Sequence, residues 1–147
     1  MRDSIDVLVV GAGPVGLLAA AELRRHGVAC RIVERLESPS PYCKALGVTP
    51  RTLEVWDDLG IISQALAVGL GFRGLINVLN GTEFEVSSSA LPQGAYGFLT
   101  LAQYDVERIL AVHLQSHAGQ IERGVELVGL KQTDAGVTAT LRRADGA

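Results

Sequence analysis

Apolar positions come first as an unbroken run, then at helical spacing, then as a run again. Ile5 to Val10 is rich in β-branched residues and reads as a buried strand, central in a parallel sheet. Val15 to His26 carries helical spacing. Arg24, Arg25 and His26 suit the negative end of a helix, and Gly27 supplies the stop. Ala29 to Glu34 is a second apolar strand. A helix joining two parallel strands is expected to cross over right-handed. Residues 35 to 49, with Pro39 and Pro41, read as a loop long enough to have a task. Thr49-Pro50 then opens a second helix, with Thr as the cap and Pro at the first position. Leu53, Trp56 and Leu59 form its apolar face, Gly60 ends it, and Ser63 is placed as the cap of a further short helix.

The period changes over residues 69 to 101. Leu75 to Asn80 and Thr82 to Val86 bracket Asn80-Gly81, a strong hairpin signal, so an antiparallel insertion is predicted there. Gly97 to Leu101 is its returning strand. Asp105 to His117 goes back to helical spacing, with Val106, Ile109, Leu110, His113 and Leu114 on one face. On that stripe His113 reads as a structural histidine and not as a base. A strand around Ile121, then Glu126 to Gln132, a turn at Asp134-Ala135-Gly136 and Val137 to Arg142 predict a C-terminal β-meander. Asp145-Gly146 reads as the next turn. A turn without its return strand leaves an open sheet edge, so residues 1 to 147 are expected to be the N-terminal part of a longer polypeptide. The fold class expected is α/β, a Rossmann-like βαβ unit with an antiparallel β insertion and the C-terminal meander.

Chemistry enters at the turn between the first strand and the first helix, Gly11-Ala-Gly-Pro-Val-Gly16. Such a glycine pattern is weak alone and specific when a strand precedes it, a helix follows it and an acid closes a second strand. Gly11 serves the tight turn, Gly13 lets backbone approach a pyrophosphate, and Gly16 lets helix pack against sheet. Pro14 sits in the first helical turn, where its missing N–H costs nothing. The helix N-terminus then faces the phosphates. Glu34 falls near the offset of about 20 residues at which an acid binds a ribose diol. It would also repel a 2′-phosphate, which disfavours NADP at this site.

The bulk properties narrow the classes without changing this picture. The chain has 147 residues, 48% hydrophobic and 20% charged, which suits one globular domain. A net charge of −3 gives no reason to expect nucleic acid or an anionic membrane as partner. The apolar runs are far below the ~20 residues of a membrane span. Cys30 and Cys43 have no metal spacing, no metal site is expected, and Cys30 reads as a small buried hydrophobe. The cytoplasm is the expected compartment.

Five segments carry a resemblance, Val9 to Gly16, Val33-Glu-Arg35, Lys44 to Glu54, Asp58 to Ile61, and Leu101 to Leu110, and of these Lys44 to Glu54 and Gln103 to Leu110 narrow the family. Together they resemble the FAD-dependent aromatic hydroxylases typified by p-hydroxybenzoate hydroxylase and phenol-type monooxygenases. The polyketide and phenolic-ring hydroxylases of actinobacterial type are the nearest in look. The resemblance implies FAD as cofactor, NAD(P)H as co-substrate, O₂ and a small aromatic substrate. It implies that Gly11, Gly13, Pro14 and Gly16 cradle the pyrophosphate, that Glu34 takes the adenosine ribose and that Arg35 lies on the adenine side. It places Lys44 and Ala45 beside the riboflavin half and gives Gln103 a hydrogen bond to the cofactor. The family usually has Arg where this chain has Lys44. A point charge replaces a fork there, and weaker or altered flavin binding is expected. The family's later Asp-Gly and Gly-Asp motifs are missing from these residues, and Asp145-Gly146 follows Arg142-Arg-Ala instead of an apolar strand. No catalytic acid or base is named, and the chain by itself is not expected to hydroxylate. A halogenase or reductase of the same superfamily, a non-catalytic dinucleotide-binding module, and an assembly of like copies all stay open.

Overall fold

A computed structural model describes residues 4–87 and 95–144. The chain divides into two compact units, residues 1–42 with 107–147, and residues 43–106.

The first unit begins with β1 (Val7–Val10), α1 (Pro14–Arg25) and β2 (Cys30–Glu34). β1 and β2 are parallel, from Val7 beside Cys30 to Val10 beside Val33. β2 is the middle strand of the three described, since β8 (Ile121–Arg123) pairs parallel on its other side. Among the described residues β1 pairs with β2 alone. β1 is outer and only half-buried, with Val10 52% exposed, whereas Ile32 and Val33 of β2 are buried. α1 lays Leu17, Ala20 and Ala21 inward against these strands. Small residues there let the helix come close. Ile109, Leu110 and Leu114 of α4 (Gln103–Ser116) and Val125 are also buried in this unit. Arg24 ties the ends together, its Nε donating to His117 O and its Nη1 to Cys30 O.

The expected meander divides in two. β8 belongs to the parallel sheet, fastened by a two-pronged contact in which Arg31 Nε and Nη2 each donate to Glu122 at 2.7 Å. That contact holds the Glu122 carboxyl below its ordinary pKa, against the opposing effect of burial. β9 (Val125–Thr133) and β10 (Gly136–Arg143) form a separate antiparallel ladder, with a register shift at Thr140/Leu141. Asp145-Gly146 lies outside the described residues.

The second unit is wider than the antiparallel segment read from the sequence. It contains β3 (Gly47–Val48), α2 (Pro50–Asp58), α3 (Ile62–Val68), β4 (Leu70–Gly71), β5 (Gly74–Leu79), β6 (Thr82–Ser87) and β7 (Leu99–Thr100). β7 pairs antiparallel with both β3 and β4. The returning strand is therefore present, and two residues of the supposed loop form its partner. Thr49 caps α2 by accepting from Thr52 N, as expected. Ser63 does not cap α3; it lies inside the helix, and Ile61 takes the cap position without a side-chain bond. Leu53, Trp56, Ile61, Ala65, Leu99 and Leu101 are buried here. The β5–β6 hairpin turns at Asn80 and Gly81, which have φ of 51° and 80°. Both signs suit the turn that Asn-Gly favours. Its register sets Ile76 opposite Glu85 and Val78 opposite Glu83, so on one face of the hairpin apolar side chains sit beside carboxylates.

His113 is buried, as a structural histidine would be, and its Nε2 has no hydrogen-bond partner among the described residues. Its ring meets that of His117 edge-on, with centroids 4.9 Å apart. Burial lowers its pKa from 6.5, His117 and Arg25 lower it further, and Glu22 opposes them. The fold thus disfavours the charged ring. The unfolded chain takes up this proton first, and stability falls as pH drops below about 6.5 toward the folded value. Thermal melting at pH 7.5 and 5.5 should show a smaller acid loss in His113→Phe, which keeps the bulk and removes the titration. An identical acid loss in the variant would refute this assignment.

Candidate functional site: the glycine turn and the Lys44 loop

The turn after β1 is built by backbone that reaches β2. Gly11 N donates to Val33 O at 2.8 Å and adopts φ 101°, where glycine is at ease. Ala12 N donates to Glu34 Oε2 at 2.8 Å. Gly13 is the N-cap of α1, with φ −77°, and no side chain caps the helix. Pro14 occupies the first position. A Cβ on Gly13 would meet nothing within 4 Å, so the turn has open space at this point. A Cβ on Gly16 would run into the carbonyl oxygen of Gly11. Gly16 is therefore glycine because helix and turn touch there, and Gly13 is glycine where the protein itself leaves room. That arrangement fits a phosphate group: orphan N–H groups, a positive helix end and no side chain in the way.

Glu34 closes the site. Its second oxygen, Oε1, accepts from Leu36 N at 3.0 Å. Burial pushes its pKa up, but the N–H groups of Leu36 and Ala12 and the charges of Arg123 and Arg35 outweigh this. The net shift is downward, so Glu34 is ionised at neutral pH. Arg35 is exposed and borders a cavity of about 240 Å³ with Leu36, Gly124, Glu126, Arg142, Arg143 and Ala144. Ala12 and Leu36 as donors to Glu34 are invisible in the sequence, because backbone N–H groups leave no side-chain pattern.

The other expected site residues lie in the second unit or at its edge. Lys44 and Ala45 are exposed. Ala45 O accepts from Gln103 N at 3.1 Å, and Leu46 O accepts from Leu101 N at 2.7 Å. The loop is thus laced to the start of α4, and Lys44, Ala45 and Gln103 come together. α4 begins two residues before the expected Asp105, which puts Gln103 on its first turn. Exposed Cys43 donates its Sγ to Ala45 O. Cys30 is buried, and burial raises its thiol pKa. Among the described residues no cluster of His, Cys, Asp or Glu could hold a metal, and no helix is long and apolar enough to cross a membrane.

A strand, a glycine turn, an uncapped helix and an acid held beside the turn define a dinucleotide-binding protein. The chain belongs to the FAD binding domain family, which matches residues 4–147. It is 35% identical over 144 residues to pentachlorophenol 4-monooxygenase of Sphingobium chlorophenolicum, covering 95% of this chain and 27% of that enzyme. It is 38% identical over 145 residues to 6-methylpretetramide 4-monooxygenase of Streptomyces rimosus, covering 96% of this chain and 26% of that enzyme. The crystal structure of aklavinone-11 hydroxylase with FAD and aklavinone superposes with a TM-score of 0.83 at 33% identity, over 99% of this chain and 31% of that one. The chain therefore has the mixed α/β fold of flavin-dependent monooxygenases. It spans between 26% and 31% of the length of these three relatives.

Proposed function

We propose that the chain is the FAD-binding portion of a flavin monooxygenase that hydroxylates an aromatic or polyketide-type substrate with NAD(P)H and O₂. The observation that carries this is the turn itself, where Gly13 leaves open space before an uncapped helix and Glu34 is held beside it. Family membership and the relatives' printed activities support the reaction class. When bound, FAD supplies the electron transfer and oxygen activation that no side chain supplies. The chain's own residues bind and orient it. The βαβ unit is read as Rossmann-like. Gly11, Gly13, Pro14 and Gly16 receive the pyrophosphate, Glu34 the adenosine ribose, and Arg35, on its cavity, the adenine side. Lys44, Ala45 and Gln103 serve the riboflavin half. The test is purification followed by a visible spectrum and titration with FAD and with NAD. A flavin absorption band and preference for FAD are expected. Preference for NAD would replace this reading with a nicotinamide module.

Lys44 gives a graded check. Its ammonium is exposed, and exposed charge contacts contribute about 0.2–1 kcal/mol. Lys44→Ala should weaken FAD a few-fold at low salt and hardly at all at high salt, because the contact is screened. Lys44→Arg should match or tighten binding, since a fork replaces a point charge. Retention of FAD through dialysis at two ionic strengths measures both. If Lys44→Ala holds flavin like the wild type in low salt, the loop is only a connector.

A further inference from the structure

Glu34 does more in this structure than wait for a ribose. It stands at the end of β2, and its two oxygens are each already bonded to backbone, Oε2 to Ala12 N and Oε1 to Leu36 N. Ala12 is the residue between Gly11 and Gly13, and it is 5% exposed. The preceding residue, Gly11, is fixed to β2 by its own N–H on Val33 O. Two successive N–H groups of the turn are thus held from β2, one by a carbonyl and one by a carboxylate. Remove the carboxylate and the second tie is lost just before Gly13, where the open space lies. A charged hydrogen bond at this place is among the stronger kinds. Each oxygen still has a lone pair for a ligand hydroxyl.

We propose that Glu34 is a positioning residue for the phosphate cradle, latching the glycine turn through Ala12 N–H. Its effect on binding is therefore in large part independent of the ribose hydroxyls. This rests on the reading of the turn as the FAD site. It predicts that Glu34 matters to a ligand with no diol, which a pure ribose contact does not.

The probes are ADP and 2′,3′-dideoxy-ADP, titrated calorimetrically into wild type, Glu34→Ala and Glu34→Gln. Glu34→Ala should weaken dideoxy-ADP about tenfold, the order of one charged hydrogen bond. Glu34→Gln keeps one acceptor oxygen for Ala12 N–H and should recover part of that loss. In the ligand-free wild type, hydrogen exchange at the Ala12 amide should be protected, and Glu34→Gln should keep part of the protection. The latch is overturned if Glu34→Ala binds dideoxy-ADP as tightly as wild type, or if the Ala12 amide exchanges like an unbonded one. A wild type that binds neither nucleotide overturns the FAD reading instead, and the amide measurement then decides the latch alone.

Discussion

Gly16→Ala is expected to lower the melting temperature on the order of 5–10 °C. The direction is informative because the same change inside a helix ordinarily stabilises by about 1 kcal/mol. Here the new methyl group would enter the space of Gly11 O, with Val9 Cγ1 at 3.3 Å behind it. The obstacle is backbone in a turn pinned at Gly11 N and Ala12 N, so neither partner yields cheaply. Overpacking of this kind costs about 1–3 kcal/mol, and a rigid neighbour puts it at the upper end. Differential scanning calorimetry of the two proteins settles the sign. An unchanged or higher melting temperature would show that the turn relaxes freely.

Gly13→Val should do the reverse, largely sparing stability and weakening binding strongly. The residue has φ −77° and ψ 179°, which any amino acid adopts, and a Cβ there touches no protein atom within 4 Å. Valine is a poorer N-cap than glycine, so a small loss is expected from that alone. The branched side chain would instead fill the room left for a phosphate. A loss of FAD affinity on the order of a hundredfold is expected, equivalent to about 2.7 kcal/mol. Fluorescence titration beside a melting curve separates the two effects. Equal affinity in the variant would remove the glycine turn from the binding site.

These two glycines show how far the sequence can be read. The pattern of strand, turn, helix and acid pointed to the candidate site, because each member is marked by a residue type in its own place in the sequence. Thr49 as a cap and Asn80-Gly81 as a turn were legible for the same reason: their chemistry is local. What was hidden depends on distant or backbone partners. β8 is only three residues long and joins the sheet beside β2, some ninety positions back, through Arg31 and Glu122. Nothing near Ile121 announces that, so it was read into a meander. β3 is two residues inside a proline-bearing stretch, and only its pairing with β7 makes it a strand. Ser63 has the chemistry of a cap, but the cap position falls two residues earlier, at Ile61. Glu34's hold on Ala12 N–H joins an acid to a group every residue possesses, which no pattern can flag.

The β5–β6 hairpin carries a consequence for solubility. Ile76 and Val78 are 69% and 64% exposed, and apolar side chains in line on one face of a ribbon favour stacking of one ribbon on another. Glu85 and Glu83 stand directly opposite them. Any second copy stacking on this face would have to bring its own carboxylates against these two, burying like charges together. The two glutamates thus work as gatekeeper charges against face-to-face stacking of such ribbons.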